Sequence, residues 1–340
     1  MYRLSLNRLV PVCCYLMITV GFANNSFAQQ PPVSPEFDRI VQNFVAENTA
    51  RSVVVADANL ITLGIMDFNP SEFIDTGDLD VGNEDTLELR SSLTNYSLPW
   101  SFARQQLSEQ LSYQTKLRAS YIGVKQNFQL EQEDGINPLD EKNYLVYGEN
   151  AWRYQATPNW TIHFGVGLQY LFYHNNFDYQ TPTMTALKPT FERRLLNTSY
   201  SALLLDPSVG VRYRGQLGEH HWQYQAEYRY ALGHTITSDY RAQETHMQAG
   251  RLSNTVILHY QTGTLWQRPN QLRVLARRID IDHDAITPLG TSHYYEFGLG
   301  WIVDTSKDSS LLDSIGIGIS LNIGSDLSGG SVVLLFNEDL

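Results

Sequence analysis

Cysteine is almost missing from this chain: Cys13 and Cys14 are the only two in 340 residues. Both fall in an N-terminal leader, so the mature protein is expected to have neither disulfides, thiolate metal sites nor a cysteine nucleophile. Long apolar runs are scarce too. Past the leader no segment is long enough for a membrane helix, which leaves strands as the only means of crossing a bilayer. Basic charge is also in short supply, with Lys and Arg totalling 24 against 36 for Asp and Glu, a net charge of −12. Nucleic-acid partners, which require a basic face, are thereby disfavoured.

The leader has the form of a secretory signal. Arg3 and Arg8 precede an apolar run from Leu9 to Phe22, and Ser26-Phe27-Ala28 supplies small residues for cleavage after Ala28. A retained anchor would need a longer run. Losing Arg3 and Arg8, with no acid in residues 1–28, takes the net charge from −12 to −14. The expected organisation is a signal over 1–28, an N-terminal segment with an amphipathic helix over 29–50, and a barrel over 51–340.

What the chain does have is sustained alternation. Trp160, Ile162, Phe164, Val166, Leu168, Tyr170 and Phe172 share one face of a strand, with Thr161, His163, Gly165, Gly167, Gln169 and Leu171 on the other. Trp222, Tyr224, Ala226, Tyr228, Tyr230 and Leu232 repeat the pattern. At a rise of about 3.3 Å per residue and a tilt near 40°, Trp160 to Tyr170 covers roughly 25 Å, the height of the apolar band of a membrane barrel. The expected strands are 52–66, 85–95, 112–126, 143–156, 159–173, 200–214, 220–232, 253–265, 271–281, 293–304, 313–323 and 330–337. The fold class is therefore all-β, a transmembrane antiparallel β-barrel of about twelve strands with one short N-terminal helix. Short connections such as Thr157 to Asn159 alternate with long ones such as His174 to Ser199, as periplasmic turns and outer loops do. A long link from Ser97 to Leu111 breaks this rhythm and implies either a short helix over Arg104 to Leu111 or a miscounted strand. A soluble β-sandwich would also alternate, but with apolar residues inside; here the face expected inside carries charge in mid-strand.

Ahead of the barrel, Phe37, Ile40, Val41, Phe44 and Val45 recur at helical spacing, with Ser34 as N-cap and Pro35 in the first turn. Such a helix over Pro35 to Ala50 would rest on the barrel rim or lodge in the lumen. Helix-then-twelve-strands, together with Ser208-Val209-Gly210-Val211-Arg212-Tyr213-Arg214, Gly316-Ile317-Gly318-Ile319-Ser320-Leu321-Asn322 and Val332-Val333-Leu334-Leu335-Phe336, resembles the solitary outer-membrane autotransporter-like β-barrel family. The resemblance implies residence in a bacterial outer membrane, contact with its lipid and lipopolysaccharide, and insertion by the barrel-assembly machinery. With only Gln29 to Ser34 ahead of the helix, it implies a translocator-type barrel without a passenger, in a structural or narrow-pore role. Phe336 would be the terminal aromatic of the assembly signal, although Asn337-Glu338-Asp339-Leu340 follows it.

No complete catalytic set is visible, and neither a cofactor nor an enzymatic activity is expected. The alternative, an outer-membrane hydrolase acting on lipid or peptide, would need a Ser/His/Asp or Asp/His set at the outer rim. The His-x-Ser-Asn-Gly run of the phospholipase type is absent, and Asp280-Ile281-Asp282-His283-Asp284 lacks an opposing acidic pair. Arg153, Arg212, Glu227, Arg229 and Glu296, with Arg214, Arg273 and Arg277, are expected to form a charged ladder in the lumen, fixing register or lining an aqueous path. Asp75, Asp78 and Asp80 sit in an acidic loop whose oxygen ligands suit a divalent cation, or that simply stays solvated. His163 and His259 are expected to face the lumen, and oligomeric state is not legible.

Overall fold

The structure, a computed structural model, describes residues 34–57, 66–68, 93–130, 133–265, 267–306 and 314–336. Ser34 caps helix α1 (Pro35–Val55), accepting from the Phe37 amide at 3.2 Å, and Glu36 and Asp38 lie at the positive end of its dipole. The helix runs five residues past Ala50, through residues expected to open the first strand. Val53, Val54 and Val55 are poor helix formers on intrinsic propensity, but all three are buried, and packing overrides propensity.

The strands are β1 (Met66–Phe68), β2 (Leu93–Ser101), β3 (Gln105–Gln106), β4 (Leu111–Phe128), β5 (Asn137–Gln155), β6 (Trp160–Phe177), β7 (Ser199–Leu217), β8 (His220–Ser238), β9 (His246–Leu265), β10 (Arg268–Ile281), β11 (His293–Asp304), β12 (Ser314–Ile323) and β13 (Gly329–Phe336). Since β2 and β3 both pair with β4, they are one strand interrupted at 102–104, and thirteen segments make twelve strands. Neighbours are antiparallel throughout, β1 lies against β13 and β2 against β4, and among the described residues β1 and β2 are the two unpaired ends of this up-and-down order.

Two expectations near the N-terminus are corrected. Of the strand expected over 52–66, residues 52–55 are helix, 58–65 lie outside the described residues and Met66 opens β1. The strand expected over 85–95 lies outside the described residues as far as 92, and from Leu93 it is strand, running on to Ser101. It continues through Pro99, which lacks a ladder donor and reads as a strand breaker from sequence alone. No helix forms over Arg104 to Leu111; β3 and a tight turn occupy it, so the apparently long link is a short one.

The faces lie as the alternation requires. Trp160 is 42% exposed, Leu168 53% and Tyr228 39%, all on the outside. Inward glycines make room for large inward side chains: a Cβ at Gly165 would meet Glu149 and Ser208, and one at Gly167 would meet the Tyr147 ring. Connections 107–110, 156–159 and 218–219 mark one end, and 129–136, 178–198, 239–245 and 282–292 the other. The long ones hold α2 (Pro182–Phe191), a 3-10 turn (Arg241–Gln243) and α3 (Ile286–Leu289). Short turns face the periplasm and long loops the outside in barrels of this class.

Candidate functional site in the lumen

The inward face divides into two zones. Towards the long loops it is apolar, with Leu145, Leu171, Tyr200, Leu204, Met247 and Ile279 packing on Val45, Ala50 and Val53 to Val55 of α1. At the mouth, Phe37 and Val41 meet Phe191, Leu195 and Ala242, with the Phe37 and Phe191 rings 5.9 Å apart. The outer half of the lumen is filled by the chain's own helix, whose N-terminus lies at the long-loop end.

Polar ties fix the depth of the helix. Asn48 donates to the Tyr200 hydroxyl at 2.9 Å, and Arg51 reaches Glu141 at 3.3 Å, whose other oxygen accepts from Tyr173 at 2.7 Å. The Tyr240 hydroxyl donates to Asp38 at 2.6 Å, and Asn95 of β2 donates to the Val55 carbonyl at 3.0 Å.

Below the helix the wall is charged. Arg229 is the hub, reaching Asp206 at 2.9 Å, Glu227 at 3.0 Å and Glu149 at 3.2 Å, and donating to the Tyr147 hydroxyl. Arg251, 1% exposed, also meets Asp206 at 2.9 Å. Two residues beyond α1, Asp57 lies 3.5 Å from Arg118 and 4.0 Å from Arg229. Lys116 pairs with Glu149 at 3.1 Å, and His163 lies 3.4 Å from Glu227. A cavity of about 190 Å³ is lined by members of this cluster, Glu149, Glu227 and Arg229 among them, together with Arg153, Arg212 and Gln225.

Of the residues singled out from sequence, Glu227 and Arg229 pair directly, Arg212 joins them through Gln225 at 3.1 Å, and Arg153 lines the same cavity. Glu296 stands apart on β11, bound by Arg277 at 3.5 Å and Ser320 at 3.0 Å. Arg118, Tyr147, Asp206 and Arg251 are central and were missed. Asp206 has the parity of Arg212 on β7, so the period-2 signal was there; Arg251 fell in a stretch read as loop. Asp57 fell in a stretch read as strand. Asp75, Asp78 and Asp80 lie outside the described residues, and no cluster of three metal-ligating side chains occurs among the described ones.

Among these contacts the Ser208 hydroxyl donates to Glu149 at 3.3 Å, and His163 faces Glu227. At the rim, Asp282 accepts from the Gly250 amide at 2.7 Å and Asp284 from the Gln248 amide at 2.8 Å. Both carboxylates therefore staple their loop to β9. Asp282 also holds His283, and Asp280 holds Arg278 at 2.6 Å.

Residues 46–338 match the solitary outer membrane autotransporter beta-barrel domain. The chain belongs to that family. Its residence is accordingly the bacterial outer membrane. Among solved structures, this autotransporter-type barrel is similar to the beta domain of the Bordetella autotransporter BrkA, at 12% identity and a TM-score of 0.39, covering 72% of this chain and 96% of that one. LpxR from Salmonella typhimurium follows at 9% identity and 0.34, covering 70% and 86%. A ferric enterobactin receptor mutant from Pseudomonas aeruginosa gives 12% identity and 0.29, covering 71% and 39%. The comparison with curated proteins finds no match.

Proposed function

We propose that this protein is a sealed outer-membrane barrel of translocator type, in which α1 closes the lumen and the charged girdle holds it closed. The observation that carries this is the joint placement of α1: apolar contacts along its length and Asp57 between Arg118 and Arg229 at its end. Each fully buried valine or phenylalanine contributes about 1.5–3 kcal/mol, so a helix burying Phe37, Val41, Val45 and Val53 to Val55 is held firmly. Its role in this reading is structural rather than catalytic, since the lumen carboxylates Asp57, Glu149, Asp206 and Glu227 are held by Arg118, Lys116, Arg229 and Arg251. Insertion would use the barrel-assembly machinery, and the apolar exterior would meet outer-leaflet lipid.

The test is conductance in planar bilayers. The intact barrel should be silent, and deletion of Gln29 to Val55 should open steps in a barrel that still migrates anomalously on unheated gels. Equal conductance by intact and deleted forms would overturn the proposal.

A further inference from the structure

On the outer surface of β6 to β9, strand register sets two polar-over-apolar rows. Leu168 pairs with Leu205, and Leu205 with Leu232; in the next row towards the outside, Leu203 pairs with His234, and His234 with His246. The two imidazoles are exposed and 6.2 Å apart between ring centroids. Between the rows the surface is indented by a notch of about 350 Å³ bounded by these leucines and both histidines.

The height of the pair identifies what meets it. Counting from Trp222 at the periplasmic girdle, about twelve residues of tilted strand reach His234, roughly 30 Å at a rise of about 3.3 Å and a tilt near 40°. That is about 5 Å beyond the apolar band of about 25 Å, the level of the lipid headgroups. The leucine notch thus lies among acyl chains and the imidazoles at the level of lipid phosphates. The connection above carries exposed Asp239, Arg241 and Glu244, while the polar side chains that border the notch itself are His234, His246 and Gln248, whose amide oxygen already accepts from the Tyr230 hydroxyl at 2.7 Å.

We propose that this indentation is a lipid site, taking one acyl chain of a phosphomonoester-bearing outer-leaflet lipid while the His234 and His246 rings donate to its phosphate. The notch is continuous with the lipid-facing exterior, so an acyl chain covers it. Paired N–H donors suit a headgroup with several free phosphate oxygens. The site stands on the outside of the barrel and does not depend on whether the lumen is sealed.

Native mass spectrometry of the full-length barrel in detergent, titrated with phosphatidic acid and with diacylglycerol of the same chains, tests it. Phosphatidic acid should be retained at least tenfold better than diacylglycerol. His234→Gln with His246→Gln should abolish that preference, and Leu205→Trp, which fills the notch, should weaken both lipids. Leu203→Phe serves if Leu205→Trp does not fold, as judged by heat-dependent gel mobility. Equal retention of the two lipids, or an unchanged preference in the histidine variant, would overturn the proposal. So would full competition by equimolar inorganic phosphate, because the notch would then contribute nothing.

Discussion

Asp57 presents one carboxylate oxygen to Arg118 at 3.5 Å and the other to Arg229 at 4.0 Å, tying the end of α1 to β4 and β8 on separate parts of the barrel wall. Its side chain is 3% exposed, and so the pair is protected from screening. Removing one partner of a buried pair leaves charge uncompensated, at a cost of about 3 kcal/mol. Asp57→Ala should therefore lower the unfolding midpoint and produce intermittent conductance. A variant as stable and as silent as the parent would show that the apolar contacts alone hold the helix.

Tyr200 tests the neutral ties. Its hydroxyl accepts from Asn48 at 2.9 Å and lies 3.2 Å from the Thr49 hydroxyl, all three groups buried. Tyr200→Phe preserves the ring that stacks on Tyr173 but orphans the Asn48 amide, a loss of about 1–2 kcal/mol. Thermal unfolding should show the drop, and Asn48→Ala in the same background should recover part of it.

The exterior was readable because one partner, lipid, meets every outward residue, so alternation along a single strand suffices. Trp160, Leu168 and Tyr228 follow directly from it. The interior has two different partners. Leu171 and Leu204 continue the inward rows of Gln169 and Asp206, but whether an inward position is apolar depends on α1, which is remote in sequence. Asp57 shows the same limit: its role depends on Arg118 and Arg229, which no local pattern connects to it. Residues 52–55 read as strand from sequence because three successive valines favour one until the lumen supplies their packing.

Glu47 makes helix seating pH-dependent. Burial, then the charge of Asp284, raises its carboxyl above the ordinary value, with a Thr287 hydrogen bond offsetting part of the effect. A raised acid is favoured neutral in the folded state, so ionised Glu47 opposes seating. Stability should rise as pH falls from neutral through the raised value and level off near the unfolded value of 4.5. Glu47→Gln should flatten that part of the unfolding profile; an unaltered profile would remove Glu47 as its source.

Glu133 has the opposite sign. The Thr183 hydroxyl, then the Thr181 hydroxyl and the Thr183 amide at 3.1 Å, hold its carboxylate below the ordinary value at the start of α2, against a smaller opposing effect of burial. The contact should be complete above pH 4.5 and lost as pH falls through the depressed value. Hydrogen exchange at the Thr183 amide, corrected for its intrinsic pH dependence, should accelerate there, and Glu133→Gln should exchange fast at every pH.

The direction of α1 can be read on intact cells. Phe37 packs on Phe191 and Asp38 accepts from Tyr240, both partners lying in long connections, whereas Asp57 reaches mid-strand Arg118 and Arg229. The helix therefore enters the outer mouth N-terminus first in sequence and descends towards the periplasm, so its cap, Ser34, belongs at the cell surface. The only cysteines in the chain, Cys13 and Cys14, lie in the expected signal, which makes a single introduced thiol a clean probe. Ser34→Cys should react with an impermeant maleimide on unbroken cells as fast as a cysteine placed at exposed Arg241. A thiol at Glu219, in the turn between β7 and β8, should react only after the outer membrane is permeabilised. If Ser34→Cys behaves like the Glu219 probe, the helix enters from the periplasmic side and the assignment of barrel ends is reversed.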